Sequence, residues 1–214
     1  MPRSMLQPLH SPPCCKRDPV KTRETILQHA YQQIHAHGFQ AVSLDAILRD
    51  TGVTKGALYH HFPNKHALGY AVVDEVIANI LEELWIDPVV DSNDPVTALQ
   101  DTIRLAGDTM TLDRLKLGCP LNNLSQEMSP IDEGFRERLD KIYRYWTASL
   151  SGALKKGIKN NTVGKHVNPD ATAVFLIASM EGCIGMAKNA QSMDVLNTCG
   201  TGILSYMESL RPNT

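Results

Sequence analysis

The 214-residue sequence predicts an all-α fold. Three observations carry that reading. Apolar residues recur at helical spacing in segment after segment. Capping residues stand directly before proline at Asp94-Pro95, Ser129-Pro130 and Asn168-Pro169, an arrangement that opens helices. No stretch of any length shows the apolar–polar alternation of a strand. A hydrophobic content of 43% is ample for one large or two small domains.

Residues 1–19 are Pro-rich, lack an apolar period and read as a flexible tail. From Val20 to His37 a first helix is expected, with Ile26, Leu27, Ala30, Tyr31 and Ile34 as its buried stripe. Gly38 stops it and Phe39 packs back. Ser43 can cap a short second helix that buries Leu44, Ile47 and Leu48. Gly52 falls where the chain must turn. Thr54 can cap a third helix carrying Ala57, Leu58 and Phe62 inward and Lys55, Gly56, Tyr59 and His60 outward. Asn64 then caps a long helix to Trp85, with Leu68, Val72, Val76, Ile80 and Leu84 at every fourth position.

Beyond a loop at residues 87–94, helices are expected at 95–112, 130–158, 169–190 and 192–210, with a short one near 120–127. Asp132, Glu133 and Asp170 fall in first turns, where the helix dipole favours acidic groups. Helix 169–190 is expected to bury Val174, Phe175, Ala178 and Ile184. Its Gly182 and Gly185, and Gly200 and Gly202 of the last helix, each cost up to about 1 kcal/mol against Ala in a helix interior. Close approach of another helix is the expected return.

Net charge is −2, which alone argues against a nucleic-acid binder. Its distribution argues the other way. Through Ala67 there are eight basic and four acidic residues, so a basic end sits on an acidic body. The sequence has no apolar run that reads as a membrane span and no signal-peptide core, which sets a cytoplasmic expectation. The five Cys (14, 15, 119, 183 and 199) lack CxxC or zinc-finger spacing. Neither a structural disulfide nor a metal site is predicted, and the histidines diverge too much to chelate together. No converging nucleophile or acid–base set points to an enzyme, and no cofactor motif appears.

Residues 43–65 have the plan of a helix-turn-helix, whose second helix enters the DNA major groove. TGVTKGALYHHFPNKHAL closely resembles the recognition-helix signature of the tetracycline-repressor (TetR) family. Thr22, Ile26, Ala30, Gly38-Phe39 and Ile47 match its upstream markers. The chain departs at Leu48 and Thr51, where the family usually has Ala; both read as packing positions. The resemblance implies a three-helix DNA-binding domain at 20–66 and a helical effector-binding and dimerisation domain at 67–214. It also implies a homodimer formed through helices 169–190 and 192–210, a palindromic operator of double-stranded DNA, and repression relieved by a small-molecule effector.

By chemistry and matching position, the DNA-binding candidates are Ser43, Thr54, Lys55, Gly56, Ala57, Tyr59, His60 and Lys65. Lys55 can donate to guanine and Ala57 can meet a thymine methyl, while Gly56 permits close approach. Ser43, Thr54, Tyr59, His60 and Lys65 suit phosphate. Effector-lining candidates are Trp85, Met110, Cys119, Asn122, Asn123, Tyr143, Trp146 and Met180. GCPLNNLSQEMS resembles a segment of a subgroup in which some members sense electrophiles through cysteine, which makes Cys119 a candidate sensor. A reactive thiol needs a lowered pKa, from a cation such as Lys116 or from a helix N-terminus at Pro120. The competing reading from another class is a helical interaction protein that binds no specific DNA.

Overall fold

The computed structural model describes residues 18–212. Ten helical elements make up this part of the chain, and no strand occurs among the described residues. The head comprises α1 (Pro19–His37), α2 (Leu44–Leu48) and α3 (Lys55–His61). A continuous helical run, α4 (65–90), leads from the head into the body. There follow α5 (Pro95–Asp108), α6 (Leu112–Leu117), α7 (Pro120–Met128), α8 (Glu133–Lys159), α9 (Pro169–Ala190) and α10 (Met193–Glu208). Of the predicted tail only Asp18 and Pro19 fall inside the described residues. Asp18 caps α1, accepting from the Val20 amide at 3.0 Å, and Pro19 opens it.

Side-chain caps set most helix starts. Ser43, Thr54, Asn64, Asp94 and Asn168 each accept a backbone N–H of their own first turn, as their sequence positions predict. Ser129-Pro130 is the exception. Ser129 is the C-cap of α7, and α8 starts later, where Asp132 accepts the Phe135 amide at 2.8 Å. Two capping residues compete within four positions, and the carboxylate also takes a 2.9 Å hydrogen bond from the Tyr70 hydroxyl of α4. Tertiary contact decides between them. The short helix α6, capped by Thr111, was not predicted.

The long helix α4 departs from its predicted register. Two π-helical segments, Val72–Ile77 and Glu82–Ile86, interrupt it. Each π turn accommodates an extra residue and slips the phase of the apolar face. Leu68, Val72 and Val76 are buried as spaced, but the stripe then moves to Ile77, Leu81 and Ile86, leaving Leu84 55% exposed. The helix also continues through Pro88 to Val90, where a loop is expected from the turn formers. Pro88 occupies the first turn of the last α-helical segment, and Val89 is buried there.

One core runs from head to body. Ile26, Ile34, Ile47, Leu58 and Phe62 fill the head, and Phe39 joins them to Phe135 of α8 across 4.6 Å in an edge-to-face pair. Helix α8 is the spine of the body, packed on α4, α5, α7 and α9, while α9 packs on α10 and α10 on α5. Arg211 closes the far end on the Asp94 carboxylate at 2.7 Å. By length and composition α9 is apolar enough to cross a membrane, contrary to the sequence reading, yet 44% of its apolar window is buried inside the bundle.

Its outer face is also not as predicted. Val174, Phe175 and Ala178, expected in the core, are exposed, the first two at 57% and 51%. Thr172, Ala173, Leu176 and Ile177 take the inward positions. The helix is apolar on both sides, so composition alone could not choose the buried face. No heavy atom outside the local backbone lies within 4 Å of where a Cβ would project at Gly182, Gly185, Gly200 or Gly202. Among the described residues, no other helix comes within that distance of these glycines.

Candidate nucleic-acid interface and regulatory cavity

The turn between α2 and α3 is built by backbone and one hydroxyl. Gly52 adopts φ +63 and Asp50 φ +64, so two residues of the turn lie in the left-handed region, only one of them glycine. Thr51 Oγ1 donates to the Leu48 carbonyl at 2.7 Å and accepts the Val53 amide at 3.0 Å. Thr51 therefore ties the end of α2 to the turn by hydrogen bonds, beyond the packing role its position suggests.

Helix α3 buries Leu58 fully and exposes Thr54, Lys55, Gly56, Tyr59 and His60, with Ala57 half-buried. Ser43 at the start of α2 is exposed as well. The Ser43 and Thr54 oxygens accept the Ala46 and Ala57 amides at 3.1 and 3.2 Å. Their hydroxyl protons stay available to an acceptor such as phosphate. Lys55 Nζ meets Asp45 Oδ1 at 2.7 Å, and that hydrogen bond raises the lysine pKa. The ammonium is charged and exposed, held by a partner it can exchange. A Cβ at Gly56 would meet nothing nearer than Thr54 Oγ1 at 3.9 Å, which leaves the surface open to close approach.

Lys65 stands apart from the other candidates. Its ammonium donates to the Gln40 carbonyl at 3.1 Å and lies 4.6 Å from the centroid of the Phe39 ring, and burial lowers its pKa. In this conformation it braces the loop after α1.

Head and body are joined by contacts that sequence could not pair. Glu127 of α7 accepts the amides of Phe39 and Gln40 at 2.9 and 2.8 Å. Arg23 of α1 forms a two-pronged ion pair with Glu75 of α4 at 2.6 and 2.5 Å, holding the Glu75 carboxyl below its usual range. His35 Nε2 lies 2.8 Å from the Gly118 carbonyl. Each partner lies more than 50 residues away, so no local signal links them.

The effector-lining candidates separate into three places. Trp85, Met110 and Met180 line a cavity of about 560 Å³ between α4, α5, α9 and α10. Asn122 and Asn123 line a second, more polar cavity of about 560 Å³ beside the C-terminal end of α1. Trp146 is buried in the core, 6.0 Å from the Trp85 ring. Cys119 and Tyr143 gather around Glu181, a carboxylate buried on α9 whose Oε2 has no hydrogen-bond partner among the described residues.

Cys119 does not meet the condition set for a reactive thiol. Its Sγ donates to Glu181 Oε1 at 3.2 Å. Burial first, and the neighbouring carboxylate second, push the thiol pKa up, outweighing the amides of Asn122 and Leu121 at the start of α7. The expected cation is elsewhere, with Lys116 bound to Asp113 at 3.1 Å. The expectation of no disulfide is also corrected, since Cys183 of α9 is bonded to Cys199 of α10. The 16-residue separation gives no local signature, because two helices and their turn must form before the sulfurs meet.

Comparison with known proteins agrees with this geometry. Residues 26–72 match the model for "Bacterial regulatory proteins, tetR family", and residues 95–200 match "Tetracyclin repressor-like, C-terminal domain". The Escherichia coli (strain K12) transcriptional repressor NemR is 30% identical over 82% of this chain and 88% of its own length. The repressor DhaR of Mycobacterium sp. (strain GP1) is 28% identical over 92% and 96%. The crystal structure of the reduced form of E. coli NemR superposes with a TM-score of 0.77, at 26% identity, covering 90% of this chain and all of that one. The chain belongs to the TetR family of bacterial regulatory proteins and is a DNA-binding transcriptional regulator.

Proposed function

We propose that the protein is a cytoplasmic homodimeric repressor that reads a palindromic operator through α3 and leaves it when a small, largely uncharged molecule enters the α4–α5–α9–α10 cavity. The observation that carries the DNA half is the outward face of α3, where Lys55, Gly56, Tyr59 and His60 stand exposed over a buried Leu58. Lys55 supplies base readout. Tyr59, His60 and the Ser43 and Thr54 hydroxyls supply phosphate contacts. The outward glycines of α9 and α10, beside exposed Val174, Phe175 and Met186, support pairing of two copies across these helices. Two recognition helices about 34 Å apart then meet successive major-groove turns.

The cavity supports a mostly apolar effector, since Trp85, Ile103, Met110, Met180, Leu196 and Ile203 dominate its wall, with Arg104 and Asp108 as its charged lining. Release works as a population shift. The effector prefers a state in which the recognition helices leave operator spacing, and reversing a 99:1 balance requires about 5.5 kcal/mol of differential binding. Helix α4 is the lever, since it starts at α3 and lends Trp85 to the cavity. Relatives named as repressors, NemR and DhaR, support the sign of regulation.

Selection of bound sequences from a random duplex pool at two salt concentrations tests the reading. The wild type should enrich a palindrome, and Lys55→Ala should relax selection within it at a loss of about 1–3 kcal/mol. Tyr59→Phe should weaken binding across all sequences alike. A pool with no enriched site, bound only at low salt, would overturn specific readout.

A further inference from the structure

We propose that the Cys183–Cys199 pair is a thiol-responsive redox site that staples the helical hairpin carrying both the dimer face and one wall of the effector cavity. The inference rests on the reading of α9 and α10 as the dimer face.

Three observations converge on the pair. The bond joins α9 to α10 directly, with Cα atoms 5.7 Å apart. Cys183 is buried and is itself part of the cavity wall, next to Met180 and Ile184 of its own helix and facing Leu196 and Gly200 of α10. The opposite side of the same two helices carries Gly182 and Gly202, where an added Cβ would meet no described atom within 4 Å beyond the local backbone, and the exposed Phe175 and Met186. One covalent link therefore fixes two functional surfaces at once. Its setting gives it a role beyond stability. Transcription regulators act beside DNA, in compartments kept reducing, where disulfides are rare and those that occur are mostly transient, catalytic or redox-sensing.

The chemistry is thiol–disulfide exchange with a low-molecular-weight thiol as reductant. Cys199 is the less buried of the two, so its sulfur is the point of attack. An external thiolate bonds to the Cys199 sulfur, the Cys183–Cys199 bond breaks, and Cys183 leaves as a thiolate. A second external thiolate attacks the external sulfur of the mixed disulfide and displaces Cys199. The protein disulfide gains two electrons, the two external thiols become one disulfide, and their two protons pass to Cys183 and Cys199. Once reduced, the hairpin is held by packing alone. The dimer face then loses preorganisation, and with it the fixed spacing of the two recognition helices.

The test uses the full-length protein in glutathione buffers of graded redox ratio. Free thiols are trapped by alkylation and located by peptide mass spectrometry, and affinity for the selected operator is measured in the same buffers. Cys183 and Cys199 should become trappable together in one transition, and operator affinity should fall about tenfold across it. Cys199→Ser and Cys183→Ser should show the reduced affinity in every buffer, whereas Cys119→Ser should keep the response. Trapping of both cysteines even in oxidised buffer overturns the proposal. So does a transition that leaves operator affinity unchanged, or a response that survives Cys199→Ser. Sedimentation in the same buffers separates the underlying reading, because a protein monomeric throughout defeats the α9–α10 dimer face whatever the trapping result.

Discussion

Two helical hairpins of this molecule leave a face unpaired by their own chain, and they do it with opposite chemistry. The α2–α3 hairpin is short, organised by Ser43, Thr51 and Thr54 oxygens, and turns lysine, histidine and tyrosine outward. The α9–α10 hairpin is long, cross-linked by Cys183–Cys199, and turns glycine, valine, phenylalanine and methionine outward. A wet, charged and repetitive partner such as DNA is met by donors that exchange water and counterions. A second protein surface is met by small and apolar groups that exclude water. Exposure alone does not distinguish a function, but the chemistry of what is exposed does.

The largest effect expected on this pair of surfaces comes from the contact that makes them one body. Phe135 is fully buried between Phe39 of the head and Tyr70 of α4, with ring centroids 4.6 and 5.0 Å away. Phe135→Ala should cost about 3–5 kcal/mol, read as a lower denaturant midpoint. Loss of a single cooperative transition would mean that head and body unfold separately once this joint is emptied.

Next in size is a change confined to the apolar face. Phe175 is half exposed and braced by Tyr206 at 4.7 Å. Phe175→Asp should weaken a dimer by about 2 kcal/mol or more, visible in sedimentation at micromolar protein, with little change in monomer stability. An unaltered dimer would remove α9 from the interface and collapse the contrast between the two hairpins.

A smaller and pH-dependent effect separates the outer face of α9 from its inner one. Glu181 is buried, and desolvation raises its carboxyl above the usual value of 4.5 despite the Cys119 thiol, which pulls it down. A raised folded pKa favours the protonated form in the native state. That stability is present below the unfolded pKa and is lost as pH rises through the folded one. Resistance of the wild type to urea should therefore fall as pH climbs above 4.5 through that folded value, and Glu181→Gln should flatten the decline. Parallel stability curves for the two proteins would show that Glu181 ionises without cost.

These residues also mark where sequence stops being sufficient. Caps such as Thr54 and Asn168 act within four residues, so they are legible one by one. The outward placement of Lys55, Gly56, Tyr59 and His60 is legible because α3 has a single apolar side. Helix α9 has two, so no local pattern puts Val174 and Phe175 on its outer face or marks Glu181 on its inner one. The phase slip in α4 comes from π turns with no residue signature here. Glu127 with Phe39, and Cys183 with Cys199, are pairings made by tertiary packing.

The finest contrast lies inside the α2–α3 turn. Thr51 stands where family resemblance suggests Ala, and its hydroxyl both donates to Leu48 and accepts from Val53. Thr51→Ala should therefore cost about 0.5–1.5 kcal/mol, the net worth of such hydrogen bonds. The turn keeps Gly52 at positive φ and Leu58 in the core, so the angle between the helices should hold. Operator selection should then return the same palindrome with slightly lower affinity. If Thr51→Ala instead changes the preferred bases, the hydroxyl sets the pitch of α3 in the groove. Part of the specificity would then reside in a residue that faces away from DNA.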